Sequence, residues 1–292
     1  MIMAMHEPPA YTTRPMVAFT TPPNYAARLS NLLSLKGFDP IWCPTLIVQT
    51  TPSTISALKP YLYPQSLHNF SAIAFTSRTS ITTLSQAIAG LEEPPLSPSG
   101  EVFTIAALGK DSELINHRFV AKFCSNFSRV RILVPPKATP SDLVKTLGDG
   151  GGRRVLCPVP VVAGLEEPPV VPNFLRELES NSWVPVRVNA YETRWAGKEC
   201  AKQVVERSER GELDAVVFTS TAEVEGLLKS LKEFGLDWTT VKKRCPGMVA
   251  AAHGPVTAAG AERLGVKVEL VSAKFDSFEG VVNSLYLKFN SK

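Results

Sequence analysis

The chain has 292 residues, of which 44% are hydrophobic and 20% charged, with a formal net charge of +4. That length favours two domains, each with apolar material for a modest core. The small basic excess suits an acidic small molecule. Without a dense Lys/Arg run or a basic-aromatic stripe it argues against nucleic acid, and no apolar run reaches bilayer-spanning length, which argues against a membrane.

The segment Met1 to Pro15 has no apolar signal core and too little Arg and Ser for a transit peptide. It points to a cytoplasmic protein and leaves an organelle open. Cys43, Cys124, Cys157, Cys200 and Cys245 are scattered, with no C-x-x-C pair. Their odd number and wide spacing favour reduced thiols in an intracellular compartment. His6, His68, His117 and His253 do not cluster at ligand spacing either, so no metal is expected.

Taken in order, the predicted elements alternate between strand and helix. A strand at 16–19 turns into a helix with Leu29, Leu32 and Leu33 on one face and Gly37 past its end. A second strand lies at 41–43, and 46–48 extends it beyond Pro44. Residues 49–69 read as a short helix between loops. A buried strand at 72–75 ends on Phe75-Thr76-Ser77 and leads to a helix carrying Ile81, Leu84 and Ile88. After a proline-rich connection comes a strand at 102–107, then Gly109 and a further helix. A strand at 130–134 precedes a helix with Leu143, Val144 and Leu147. The strand at 155–157 runs into a long Val/Pro loop, and a helix follows around Phe174, Leu175 and Leu178. Val184, Val186, Val188 and Ala190 alternate as a half-exposed strand does, leading to Tyr191.

The stretch 215–218 is again a buried strand. It ends on Phe218-Thr219-Ser220, and Val224, Leu227, Leu228, Leu231 and Phe234 follow at helical spacing before Gly235. The strand at 248–252 leads to a helix opened by Pro255 and closed at Gly265, the expected polarity for proline and glycine. A last strand at 266–271 and a last helix at 278–287 complete the chain. This alternation predicts an α/β fold built on parallel sheets.

Two local patterns occur twice. The Phe-Thr-Ser strand ends recur, and the strand before Gly109 matches the strand before Gly254 at nearly the same offset. Ser112 and Thr257 each sit three residues past their glycine. Two matches in order suggest two similar halves facing one ligand. Where such a strand meets a helix, free backbone N–H groups lie beside Ser and Thr side chains, a ready anion site. Ser and Thr are also the common helix N-caps there, and the two roles coexist.

Several pieces in order resemble one known family. They are Val17-Ala18-Phe19-Thr20, the two Phe-Thr-Ser triplets, Lys137-Ala138-Thr139, Asn189-Ala190-Tyr191-Glu192-Thr193, and Ala252-His253-Gly254-Pro255-Val256-Thr257-Ala258-Ala259. Together, over roughly residues 16 to 290, they resemble uroporphyrinogen-III synthase, the cyclase of tetrapyrrole biosynthesis. The resemblance implies two doubly wound parallel-sheet domains joined by a two-stranded hinge. On this chain they would be 1–45 plus 193–292, and 49–189.

The resemblance also implies a cyclising hydro-lyase. Its substrate is hydroxymethylbilane, a linear tetrapyrrole with many carboxylates, closed with inversion of the last pyrrole ring and loss of water. No metal or organic cofactor is implied, and a monomer is expected. Tyr191 is the candidate for chemistry, as a hydrogen-bond donor to the departing hydroxyl; a packing role between domains is the other reading. Thr20, Thr76, Ser77, Arg78, Ser112, Lys137, Thr219, Ser220, Gly254 and Thr257 are the candidate substrate contacts. His253, beside the glycine turn, is either structural or a titrating neighbour of the ligand.

The chain departs from the family pattern twice. Thr21-Pro22 stands where the family usually has Arg-Pro, and Pro158-Val159-Pro160 where it often has Arg-Gly. A second reading therefore stays open, a relative that binds a tetrapyrrole or another polyanion without turnover. A third class, a two-domain solute receptor, would want a secretion signal.

Overall fold

The computed structural model describes residues 14–64 and 66–291. The reading of the first residues as lacking a targeting signal falls largely on 1–13, outside the described residues.

Two sheets organise the chain. β1 (Met16–Phe19), α1 (Pro23–Leu35) and β2 (Asp39–Trp42) begin the first. The chain then leaves through β3 (Leu46–Gln49) and α2 (Pro52–Leu58). The second sheet continues with β4 (Ala72–Phe75), α3 (Arg78–Ala89), β5 (Phe103–Ala107), α4 (His117–Phe123) and β6 (Val130–Leu133). It is completed by α5 (Pro140–Leu147), β7 (Arg154–Ala163), α6 (Val170–Ser180) and β8 (Val184–Trp195). Back in the first sheet come α7 (Lys202–Glu209), β9 (Ala215–Phe218), α8 (Thr221–Glu233) and α9 (Trp238–Arg244). β10 (Val249–Ala252), α10 (Pro255–Arg263), β11 (Leu270–Val271) and α11 (Phe278–Asn290) end the chain.

The first sheet runs β11-β10-β9-β1-β2 and the second β3-β8-β7-β4-β5-β6. Every neighbouring pair is parallel except β3 with β8. The central strands β4, β9 and β10 are buried along their whole length, as strands covered on both faces must be. Helices supply that cover. Separate apolar clusters fill the two faces of each sheet, such as the one joining Val17 and Val217 to Leu29 and Leu285, and the one joining Val216 and Phe218 to Leu227 and Val241. Each sheet with its helices forms one lobe. No helix among the described residues is long and apolar enough to cross a membrane.

The two sheets share one strand order. Starting the count at β9, the first reads third, second, first, fourth, fifth; starting at β4, the second reads the same, with β3 added at its edge. The doubled Phe-Thr-Ser pattern thus marks equivalent strands, β4 and β9, and the doubled glycine pattern marks β5 and β10. In each sheet the order reverses beside the Phe-Thr-Ser strand, and in open α/β sheets ligands bind outside the carboxyl ends of the strands at such a point.

Four expectations are corrected. Residues 46–48 do not extend the second strand: they form β3, which joins the other sheet antiparallel to β8, with Leu46 opposite Trp195. The Val/Pro segment after Cys157 is not a loop but the second half of β7, paired with β8 as far as Ala163 and Arg194. Prolines usually exclude a central strand. Here β4 pairs only with Val155 and Leu156 of β7, so beyond Leu156 one side of β7 is open. Pro158 and Pro160, two apart, place their missing N–H groups on the same side of the strand. The hinge is therefore two-stranded where β3 meets β8, with β7 laid along it as a third strand. Finally, the last strand shrinks to Leu270–Val271, and Gly109 opens a 3-10 turn over Gly109–Leu114 before α4 begins.

Candidate functional site

A cleft of about 740 Å³ opens between the carboxyl ends of the two sheets. Strand ends and helix starts from both lobes line it, because every parallel strand delivers its following turn to the same edge. Thr76, Ser77 and Arg78 enter from the second lobe, Thr219 and Ser220 from the first, and Tyr191 from the hinge.

In the second lobe the turn is open toward the cleft. Ser77 has extended backbone and caps α3, its hydroxyl accepting from the Ser80 N–H at 3.3 Å. Arg78 pairs with Asp111 at 3.8 Å. Burial raises the Asp111 pKa above the usual carboxylate value, and Arg78 opposes that rise.

In the first lobe the equivalent turn is filled. Glu223, 1% exposed, takes hydrogen bonds from the Thr20 hydroxyl at 2.8 Å, the Thr219 hydroxyl at 2.5 Å and the Thr219 N–H at 2.9 Å. Ser220 caps α8, accepting from the Glu223 N–H at 3.4 Å. Burial pushes the Glu223 carboxyl upward, and the hydrogen bonds from Thr219 and Thr20 pull it back.

Tyr191 reaches the cleft through a β-bulge. Val159 pairs with Asn189 but Pro160 pairs with Tyr191, so Ala190 is the extra residue. Ala190 and Tyr191 are consequently both buried, breaking the alternation along β8. A bulge of this kind re-aims the side chain that follows it. Burial pushes the phenol up to about 12, with Ser77 as a hydrogen-bond partner partly offsetting the rise.

Several other sequence candidates lie off the cleft wall. Thr20 is fully buried and spent on Glu223. Thr257 donates to the Thr219 carbonyl at 3.1 Å, supporting the turn from behind. Ser112 donates to the Gly109 carbonyl at 2.7 Å and closes its own 3-10 turn. Gly254 packs against Phe275, which a Cβ there would meet at 3.0 Å. Lys137 is exposed, and it is its neighbour Ala138 that lines the cleft. His253 does line it, edge-on against Phe278 at 5.3 Å, with a pKa lowered by burial and held partly in check by the Phe275 backbone.

Sequence reasoning missed Tyr25, Arg28, Lys110, Asp111 and Glu223, all of which line the cleft. Arg28 is paired with Glu279 at 3.1 Å. Burial, then Asp111 and Tyr191, raise the Tyr25 phenol. One available signal was Ser220-Thr221-Ala222-Glu223, the Ser-x-x-Glu spacing of a helix capping box.

A sequence profile described as uroporphyrinogen-III synthase HemD matches residues 27–281. The chain belongs to the uroporphyrinogen-III synthase family. Members of that family are cyclising lyases of tetrapyrrole biosynthesis. Solved structures agree in fold. A uroporphyrinogen III synthase of the extremely thermophilic bacterium Thermus thermophilus, crystallised as a mutant, aligns at 18% identity and TM-score 0.57, covering 95% of this chain and 100% of the other. The uroporphyrinogen-III synthetase of Helicobacter pylori aligns at 14% identity and TM-score 0.50, again covering 95% and 100%. No curated protein sequence matches the chain.

Proposed function

We propose that the chain is a uroporphyrinogen-III synthase whose reaction takes place in this cleft. The observation that carries the reading is that Tyr191 and the open Thr76–Arg78 turn face one cleft, at the point where both strand orders reverse.

The hydroxyl of a hydroxymethylpyrrole leaves as water once a proton reaches it, pushed by the pyrrole nitrogen lone pair. The electron-poor carbon left behind is then attacked by another ring. Such a substrate is reactive by itself, and the protein's part is to hold one folded conformer and steer closure. Tyr191 is protonated before reaction over the whole working pH range and gives its proton to the departing hydroxyl, and the proton shed by the ring carbon that closes the macrocycle restores the phenol. Ser77, Thr76 and Arg78 hold substrate carboxylates, with Arg78 released from Asp111. Ser220 borders the cleft from the first lobe.

We read residues 1–45 with 193–292 as one domain and 49–189 as the other. One chain supplies the whole cleft, so a monomer suffices. All five cysteines are unpaired and four are buried, which supports a reducing, cytosolic setting.

The test is to give freshly made hydroxymethylbilane to the purified protein and separate the uroporphyrinogen isomers by chromatography. Type III product above the no-protein control is the expected result. Type I alone, from folded protein, sinks the reading and leaves a polyanion binder.

A further inference from the structure

Glu223 is the buried acidic side chain among the described residues. It lies in the cleft wall, yet its carboxylate makes no ion pair with any described cation. Its partners are two hydroxyls and a backbone N–H. The backbone group is a donor in every arrangement, and it and the hydroxyls work against the upward push of burial on the carboxyl. Burying a carboxylate without a cation is costly, and capping α8 does not require it. The twin turn shows this. There the third helical position is Ser80, a neutral residue whose hydroxyl donates to the Ser77 carbonyl at 2.7 Å.

The two turns are therefore opposite in chemistry. In the second lobe the Thr76 hydroxyl lines the cleft with no partner among the described residues, and Arg78 stands beside it. In the first lobe the matching Thr219 has both its hydroxyl and its N–H committed to Glu223. Two halves that share a strand order thus present different turns to the cleft, one with a free hydroxyl beside Arg78 and one whose donors are taken up by the Glu223 carboxyl.

We infer that Glu223 is a specificity-determining residue: it occupies the donors of the first-lobe turn and closes that turn to carboxylates, so that a polycarboxylate ligand is held at the twin turn by Thr76, Ser77 and Arg78 and lies in one direction only. The Glu223 turn is left for the electron-poor carbon rather than for the substrate's acidic arms. This inference rests on the cleft being the substrate site.

The probe is benzenehexacarboxylate, titrated calorimetrically at low salt into the full-length protein. Arg78→Ala weakens binding. Glu223→Gln tightens it about tenfold, the scale of removing one like charge several ångströms away in a partly buried site. The gain shrinks in molar salt, as a charge effect does and a packing effect does not. Glu223→Ser, which copies the twin turn, serves if the Gln variant fails to fold. Folded variants that bind the probe no tighter than the wild type, or no binding by any of these proteins, overturn the inference. The titration needs no turnover, so its outcome is separate from that of the isomer assay.

Discussion

Tyr191 stands opposite Pro160 although Val159 stands opposite Asn189. That one-residue slip decides which way the phenol faces. Tyr191→Phe keeps the ring and its packing and removes only the donor. We expect type III formation to fall about a hundredfold, within the usual range for a positioned proton donor, with an unchanged melting temperature. Turnover equal to the wild type would remove Tyr191 from the mechanism.

Glu223 makes stability depend on pH in a defined direction. Its folded pKa is raised by burial, so ionisation costs the folded state more than the unfolded one. Its contribution is fully present below the unfolded carboxyl value and is lost as pH rises through the folded value. Glu223→Gln lacks this loss. The melting temperature of the variant minus that of the wild type should therefore increase from about pH 4 upward, where an unfolded carboxyl titrates. A difference that stays flat, or falls, with rising pH contradicts the buried-carboxylate account.

Gly260 in α10 lies against Thr221, the first residue of α8. A Cβ at this position would sit 2.5 Å from the Thr221 methyl and closer still to its hydroxyl oxygen. Gly260→Ala should cost about 1–3 kcal/mol, the usual range for overpacking, read from urea denaturation. Because Thr221 adjoins the Ser220 cap, binding of cleft ligands should weaken as well. A variant as stable as the wild type would mean that the two helices separate freely.

The loop after β7 reaches across to the first lobe. The Glu166 N–H donates to Glu225 at 2.9 Å, and Lys229 donates to the Gly164 carbonyl at 2.7 Å. Exposed ties of this sort contribute about 1 kcal/mol or less each, so Glu225→Ala with Lys229→Ala should barely change thermal stability. The radius of gyration from X-ray scattering should nevertheless increase, since these contacts oppose separation of the lobes. An unchanged radius would show that the hinge strands alone set the angle.

Much of the fold was legible because its buried strands are short apolar runs that stop on hydroxyls or glycine, as at Phe75, Phe218 and Ala252. Pairing was harder to read. Pro158 and Pro160 disguised half of β7, because proline excludes a ladder only where its nitrogen faces a partner. The switch of β3 to the other sheet depends on tertiary contact with β8, to which Leu46-Ile47-Val48 gives no local clue. At the site, Ser77, Arg78 and Tyr191 were visible from motif and position. Glu223 was hidden because its helix was read for apolar spacing, and a carboxylate turned inward looks the same in sequence as one facing water. Thr20 and Thr257 were placed at the right turn, but on the side away from the cleft.

The chain passes between the lobes twice, and the passages are hydrogen-bonded side by side, Leu46 to Trp195 at one end and Gln49 to Glu192 at the other. Neither strand can swivel without carrying its neighbour, so the paired passages resist torsion between the lobes more than a single strand would. Trp195 sits at the end of that ladder, its indole N–H on the Ser230 hydroxyl at 2.8 Å and Lys229 over its ring at 4.6 Å. Both contacts come from α8 of the first lobe. A native fluorophore thus lies on the pivot itself, and with Trp42, Trp183 and Trp238 replaced its emission should follow how far the jaws are open.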